Sequence, residues 1–267
     1  MRALSILALG LMLLISAPAS IAQDASLKSL QTGNDSRGWE GVGRLNLGER
    51  GFCTGVLIAE NQVLTAAHCL FDRDTGARID PAKIQFLAGW RNGRAAAYRG
   101  VKRAIVHPDY VYGGHDDVES VQFDLALLQL DQPIRLPSIK PFDMDERPAR
   151  GDEVGVVSYA QDRSEVPSLQ QVCHVLRRQE AMLILTCDVD FGSSGSPIFS
   201  VRDGDGVARV VSIISAKAEV DGQKVALGTP LSAPVALLRE KLAEGGGERP
   251  GKVRVLSGGD GGKFVKP

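Results

Sequence analysis

One histidine stands in a segment whose composition suits proton transfer. His68 lies in the motif LTAAHC, in which two alanines precede the histidine and a cysteine follows it. Histidine is the side chain best suited to accept and return a proton near neutral pH. The small alanines let the backbone pack closely beneath the ring. A single histidine in an apolar segment is usually structural, so the meaning of His68 depends on the rest of the chain.

A carboxylate stands at the head of an apolar run. Asp124 begins the sequence DLALL, and a carboxylate at such a position is costly to bury unless it is paired or hydrogen-bonded. It could orient His68 and stabilise the imidazolium that forms when the ring accepts a proton. A turn residue at the edge of a strand is the alternative, and the segment alone does not decide between the two.

A serine flanked by small residues supplies a candidate nucleophile. Ser194 lies within FGSSGSP, a composition that favours a tight turn with an exposed hydroxyl. The backbone N–H groups of Gly192 and Ser194 would then converge as an oxyanion hole, worth on the order of 3 kcal/mol per donor. A simple Gly/Ser loop is the alternative reading of this stretch taken alone.

The first twenty-two residues have the pattern of a secretory signal peptide. Met1 and Arg2 give a basic start, Ala3–Ile15 is apolar, and Ser20–Ala22 supplies small residues for cleavage after Ala22. A membrane anchor is the alternative, but the apolar run falls short of the ~20 residues that span a bilayer. We therefore expect a secreted or periplasmic product that no longer engages a membrane. The net charge of −1 gives no argument for nucleic acid as a partner.

Four cysteines remain after the signal segment, and an even number in an exported chain indicates disulfides. No CxxC or HxxxH spacing accompanies them, so we expect no metal site. Three pairings are formally open, and proximity in the sequence favours Cys53–Cys69 and Cys173–Cys187. Each bridge would close a loop of about 15 residues and contribute on the order of 3 kcal/mol.

The chain alternates short apolar runs with turn-rich pieces, a pattern that predicts short β-strands. These strands would position His68, Asp124 and Ser194. A Pro-rich segment, Asp131–Arg150, separates two such series and reads as a crossover between similar halves. A helix is predicted over 234–244, with Ser232 as its cap. Residues 23–38 read as a flexible lead-in and residues 245–267 as a Gly-rich tail. The predicted strands are Val56–Ile58, Val63–Thr65, Ile84–Leu87, Val101–Val106, Leu125–Leu130, Glu153–Tyr159, Gln170–Leu176, Leu183–Val189, Pro197–Val201 and Ala208–Ser215.

The order His68, Asp124, Ser194 resembles the chymotrypsin family of serine proteases. FCTGVLI before the histidine and VHPDY before the aspartate resemble the family as well, and the likeness extends from about Gly41 to Leu238. It implies an all-β fold of two six-stranded antiparallel barrels with a C-terminal helix, and Cys53–Cys69 as a bridge beside the histidine. The peptidase domain would cover 39–240, with barrel one at about 39–130 and barrel two at about 150–232.

The resemblance also implies an activity. The chain is expected to be a monomeric serine endopeptidase that hydrolyses polypeptide substrates through an acyl-enzyme, without metal or cofactor. Ser194 would be the nucleophile, His68 the base and Asp124 the group that orients it. A catalytically silent, protease-like binding module and an esterase for small substrates are the rival interpretations.

The chain departs from the trypsins beside the nucleophile. Ser193 stands where trypsins carry the aspartate that pairs with a newly formed N-terminus, and no Ile-Val-Gly-Gly-like start is found. Activation through that ion pair is therefore not expected. In this respect the chain resembles bacterial exported trypsin-like and glutamyl endopeptidases.

The substrate-binding residues are less well defined. Asp188 lies six residues before Ser194, where trypsins place the acid that selects Lys or Arg, but a deletion nearby would move it off the pocket floor. Ser215, Ala216 and Lys217 match the strand that lines the pocket and pairs with the substrate backbone. Lys217 replaces a glycine of trypsins, and could neutralise Asp188, narrow the pocket or favour an acidic substrate residue.

Overall fold

The computed structural model describes residues 24–113, 119–145, 148–179, 182–201, 206–220 and 222–251. The predicted signal peptide, 1–22, and tail residues 252–267 lie outside the described residues. The strands of the described residues are β1 (Lys28–Ser29), β2 (Val42–Leu47), β3 (Phe52–Ala59), β4 (Gln62–Thr65), β5 (Ile84–Ala88), β6 (Ala97–Val106), β7 (Ala126–Leu130), β8 (Glu153–Ser158), β9 (Ser168–Gln179), β10 (Met182–Leu185), β11 (Pro197–Val201), β12 (Ala208–Val220) and β13 (Gln223–Pro230). A helix, α1 (Ser232–Ala243), follows the last strand.

The first half of the chain closes into a six-stranded antiparallel barrel in the order β2-β3-β4-β7-β6-β5. Alternate strand residues point inward, and Leu45, Leu57, Phe86 and Leu128 are among the side chains that fill the interior. Gly43 allows the Phe86 ring to cross β2, because a Cβ there would lie 2.4 Å from that ring. The barrel is thus a packed support and encloses no channel.

The second half repeats this architecture. Strands β9, β10, β13, β12, β11 and β8 pair in that order, and a further β8–β9 pairing closes them. Val156, Leu185, Ile198 and Ala226 belong to its core. Together the two barrels and α1 confirm the predicted all-β fold of two six-stranded antiparallel barrels with a C-terminal helix.

A third apolar cluster joins the barrels. Leu127 of the first barrel and Ile213 of the second belong to it, as do Leu238 and Leu242 of α1. Burying each such side chain stabilises the fold by roughly 1.5–3 kcal/mol relative to exposure. This dry interface fixes the two barrels relative to one another, which matters because the candidate site draws residues from both. None of the helices in the described ranges has the length and apolar character needed to cross a membrane.

The ends of the domain differ from the sequence-based expectation. The predicted lead-in lies against the second barrel: β1 pairs with β9, and Leu30 is buried. The tail begins with a backbone pairing between Glu248 and Ala104 of the first barrel. The helix starts at Ser232 itself, its preceding residue Leu231 is buried, and no side chain caps it. Burial of apolar Leu30 and Leu231 anchors these segments, an effect that local composition does not reveal.

Candidate active site

His68 sits on a short turn directly after β4. The turn spans Ala67–Leu70 as a single 3-10 helix, and both alanines of the motif are fully buried. A disulfide between Cys53 and Cys69 joins this turn to β3. The imidazole is therefore carried by a backbone that is packed from beneath and covalently tied at the next residue.

Asp124 holds the histidine at two points. It lies just before β7, is only 2% exposed, and its carboxylate accepts hydrogen bonds from the His68 backbone N–H at 2.8 Å and from Nδ1 at 2.7 Å. The Ser215 hydroxyl donates a third hydrogen bond to the same carboxylate. An ionised carboxylate only accepts hydrogen bonds, so this arrangement places the ring proton on Nδ1 and leaves the lone pair on Nε2.

Ser194 lies on a turn that is anchored to both barrels. The Thr54 N–H donates to the Ser194 carbonyl at 2.8 Å, and the Gly195 N–H donates to the Ile214 carbonyl at 2.8 Å. Gly195 has φ +79°, and a Cβ there would lie 2.2 Å from the Thr54 oxygen. Only glycine satisfies both the left-handed backbone and this close approach.

The oxyanion candidates occupy the same turn. Gly192 has φ +95°, and its α-carbon packs so closely on the Phe52 ring that a Cβ would lie 2.5 Å from it. The Thr54 hydroxyl donates to the Gly192 carbonyl at 2.9 Å, which fixes the peptide that follows Gly192. Ser193 is buried, and its hydroxyl donates to the Tyr159 carbonyl at 3.2 Å. At the position where trypsins have an aspartate, the Ser193 hydroxyl is thus satisfied by a hydrogen bond to the backbone.

A cleft of about 810 Å³ between the barrels collects most of the predicted site residues. Its lining includes His68, Asp124, Gly192, Ser194, Ser215, Ala216 and Lys217. Apolar side chains on the first-barrel side, including Phe52, Phe71 and Tyr110, complete its walls. The structure therefore brings together the candidate base, its carboxylate, the candidate nucleophile and three of the four residues predicted to bind substrate.

Asp188 is the predicted substrate-binding residue that does not join them. It is exposed and is absent from the lining of this cleft. Its backbone N–H donates to the Gln170 side chain at 2.8 Å, and the Cys173–Cys187 disulfide holds the chain immediately before it. The Gln170 contact and the disulfide thus hold Asp188 away from the cleft.

The acid of this loop that does line the cleft is Asp190, which the sequence analysis did not identify. Its carboxylate accepts a hydrogen bond from Lys217 Nζ at 2.6 Å, so Lys217 pairs with Asp190 and not with Asp188. The hydrogen bond from Lys217, with another from the Phe191 N–H, lowers the pKa of Asp190. Counting six residues back from Ser194 without a gap gives Asp188. The sequence also shows a second acid two residues later, Asp190, which could have been considered as the partner of Lys217.

Strand β12 presents part of one edge to the cleft. It pairs with β13 from Ser212 to Val220, but its pairing with β11 ends at Ile213. Within the described residues no strand covers that edge from Ser215 to Val220. Such an edge offers backbone donors and acceptors to an extended peptide.

The cluster formed by Cys53, His68 and Cys69 does not suit a metal. Their potential ligand atoms lie within 4.8 Å of one another, but both sulfurs are joined in the disulfide. A cysteine binds a metal ion through its thiolate, and neither disulfide-bonded sulfur of Cys53 and Cys69 offers one. The cluster is therefore a support for the histidine.

The two closed barrels and the C-terminal helix form a chymotrypsin-like fold, with His68, Asp124 and Ser194 in one cleft. Sequence comparison gives the family. Residues 53–208 match the family described as "Trypsin-like peptidase domain". The chain belongs to this trypsin-like peptidase family. The matched region contains His68, Asp124 and Ser194 and ends before Ser215.

Individual relatives are more distant. Serine protease 23 of Mus musculus is 29% identical over 164 residues, 55% of this chain and 42% of the relative. A trypsin of Phaedon cochleariae is 31% identical over 105 residues, 39% of this chain and 36% of the relative. The chain thus spans less than half the length of these curated relatives. Among solved structures, a Glu endopeptidase in complex with MPD aligns with a TM-score of 0.64 at 18% identity, covering 84% of this chain and 98% of the other.

Proposed function

We propose that this protein is a serine endopeptidase with His68, Asp124 and Ser194 as its catalytic triad. The observation that carries the proposal is the buried Asp124 carboxylate, which accepts hydrogen bonds from both the backbone and Nδ1 of His68. That arrangement fixes the tautomer in which Nε2 can accept a proton. It occurs in the same cleft as Ser194.

The chemistry follows from these positions. Ser194 Oγ attacks the scissile carbonyl carbon while His68 Nε2 takes the hydroxyl proton. The tetrahedral oxyanion is held by the N–H groups of Gly192 and Ser194, each worth on the order of 3 kcal/mol. Collapse breaks the C–N bond, and the imidazolium gives its proton to the leaving amine. Water, deprotonated by His68, then hydrolyses the acyl ester and restores Ser194.

The uncovered edge of β12 favours peptides over small esters. A substrate strand that pairs with Ser215, Ala216 and Lys217 would be held by backbone hydrogen bonds beside Ser194. This kind of recognition needs an extended polypeptide, which an isolated acyl ester does not supply. The relatives, named as serine proteases and trypsin, are consistent with this substrate class.

We further propose a monomeric secreted or periplasmic enzyme of a bacterial exported type, released by cleavage after Ala22. Its two disulfides suit an oxidising compartment. Ser193 offers no carboxylate to a new N-terminus and bonds to Tyr159 instead, which supports maturation without the trypsin ion pair. The triad chemistry requires neither metal nor cofactor.

Turnover of an unstructured protein substrate and of a short acyl ester tests the proposal. The unmodified protein should cleave the protein substrate, and Ser194→Ala and His68→Ala should each abolish cleavage. Ser232→Ala, an exposed serine at the start of α1, is the matched control and should retain it. Turnover of the ester alone would establish an esterase. Substrate binding without turnover of either compound would establish a silent binding module.

A further inference from the structure

Lys217 and Asp190 form an ion pair across the cleft beside Ser194. Lys217 lies on the uncovered edge of β12, two residues beyond Ser215, and Asp190 lies four residues before Ser194 in the turn that carries it. Their charged atoms are 2.6 Å apart. The pair therefore links the two segments that form the walls of the cleft next to the candidate nucleophile.

These two segments enclose the place of one substrate side chain. A peptide paired with the β12 edge and presenting its carbonyl to Ser194 would lie against both segments, so the side chain before the scissile bond would fall between Val189–Phe191 and Ala216–Lys217. Residues of both segments line the cleft. The ion pair consequently stands at the entrance that this side chain must pass.

Each member of the pair is also held by a second contact. The Phe191 N–H donates to the Asp190 carboxylate at 2.8 Å, and Lys217 Nζ lies 4.0 Å from the centre of the Phe191 ring. Arg73 approaches the same ring at 5.4 Å. The lowered pKa of Asp190 keeps its carboxylate charged. The two charges are therefore positioned to cancel one another at the pocket entrance.

The exposure of the pair shows where its main effect lies. The Lys217 and Asp190 side chains are 47% and 53% exposed, and exposed ion pairs contribute only about 0–1 kcal/mol to stability. A substrate carboxylate would have to displace Asp190 to reach Lys217, and a substrate ammonium would have to displace Lys217 to reach Asp190. An uncharged side chain displaces neither and gains contact with the Phe191 ring.

We propose that the Lys217–Asp190 pair makes this pocket select an uncharged side chain before the scissile bond. This inference rests on the proposed peptidase function. It assigns the selectivity to two residues whose opposite charges neutralise each other. Removing one charge should leave the other free to attract a substrate side chain of opposite charge. The pocket would then change its charge preference in a direction set by the residue removed.

Cleavage of peptides that differ only in having Leu, Glu or Lys before the scissile bond tests the proposal. The unmodified protein should prefer Leu. Asp190→Asn should raise kcat/KM for Glu relative to Leu by up to about fivefold, and Lys217→Gln should raise the value for Lys relative to Leu by up to about fivefold, as expected for one uncompensated, partly exposed charge. Asp188→Asn and Lys224→Gln make the same charge changes outside the cleft and should keep the preference for Leu. An unchanged preference in both cleft variants overturns the proposal.

Binding of the same peptides separates this inference from the proposed function. Each cleft variant is combined with Ser194→Ala, and peptide Kd is measured by calorimetry. Tighter binding of the Glu peptide by the Asp190→Asn variant and of the Lys peptide by the Lys217→Gln variant supports the pocket assignment. This holds even if the protein with its native Ser194 cleaves no peptide and the peptidase proposal fails. If the unmodified protein cleaves peptides but neither cleft variant changes its peptide preference, the peptidase proposal stands and the proposed role of the pair is overturned.

Discussion

The two barrels contribute to the cleft in different physical ways. The first barrel supplies His68 and Asp124, which are held by buried hydrogen bonds and by the adjacent Cys53–Cys69 disulfide. The second barrel supplies Ser194 and the wall of the cleft where Lys217 and Asp190 meet in a half-exposed ion pair. His68 and Asp124 are thus fixed by hydrogen bonds and close packing, whereas the pair that would meet a substrate side chain is about half exposed to solvent.

This difference predicts unequal responses to mutation. Removing a buried hydrogen-bond partner leaves a costly unsatisfied group, so changes on the first-barrel side should impair the chemistry itself. Changes to an exposed pair should alter which substrate is accepted and leave the folded protein nearly as stable. The following experiments test that distinction, beginning with the largest expected effect.

Asp124→Asn should cause the largest change. The amide cannot accept all the hydrogen bonds that the carboxylate receives from His68, so the ring loses its tautomer and its stabilised imidazolium; kcat should fall on the order of 10⁴-fold. Ser215→Ala removes one of the three donors to Asp124 and should lower kcat by roughly 10- to 150-fold, because one hydrogen bond to a charged group is worth about 1.5–3 kcal/mol. Single-turnover kinetics of both variants measures the difference. Equal losses would contradict the dominant role of Asp124.

Gly195→Ala should have the next largest effect, on stability. The new Cβ would lie 2.2 Å from both the Thr54 carbonyl and the Thr65 hydroxyl, at φ +79°, so we expect a loss of about 3 kcal/mol in unfolding free energy. Gly93→Ala is the matched control, because Gly93 has φ +81° and nothing within 4 Å of the built Cβ. Its loss should be about 1–2 kcal/mol. Urea unfolding measures both, and similar losses would mean that the contact between the barrels at Gly195 is unimportant.

His107 should give the smallest effect, as a dependence of stability on pH. It is buried and stacks on Phe123, next to Asp124, and burial lowers its pKa despite the opposing effect of Asp109. The unfolded chain therefore binds a proton more readily than the folded chain, and stability is lost as the pH falls below the ordinary histidine value of 6.5. Thermal unfolding of the unmodified protein and of His107→Gln measures this. The stability advantage of the unmodified protein should shrink on acidification; a constant difference would contradict the prediction.

The architecture could be predicted from the sequence because its signals are local. Alternating apolar runs define most strands, and the resemblance implies the double barrel that the structure confirms. Both expected disulfides, Cys53–Cys69 and Cys173–Cys187, are also present. Strand β13 was not predicted, and the lead-in was expected to be flexible. The lead-in is held because β1 pairs with β9, which is distant in sequence. Strand β13 pairs with its chain neighbour β12 and also with the more distant β10.

The pocket was harder to predict than the catalytic candidates. His68, Asp124 and Ser194 stand in motifs whose neighbours are constrained by close packing, as at Gly195. The partner of Lys217 depends on the path of a loop, and a shift of two residues replaced Asp188 by Asp190 in the cleft. Spacing along the chain does not determine such a path when the loop length differs from that of the family.

The central claim, that Ser194 is the activated nucleophile, is tested most directly by locating a covalent fluorophosphonate adduct. The purified, disulfide-bonded protein is labelled, digested and mapped by mass spectrometry, because Ser193 and Ser196 flank the candidate and provide internal controls. We predict one adduct, on Ser194, that is lost in His68→Ala. An adduct on Ser193 or Ser196, or the absence of any adduct in the folded mature protein, would contradict the account.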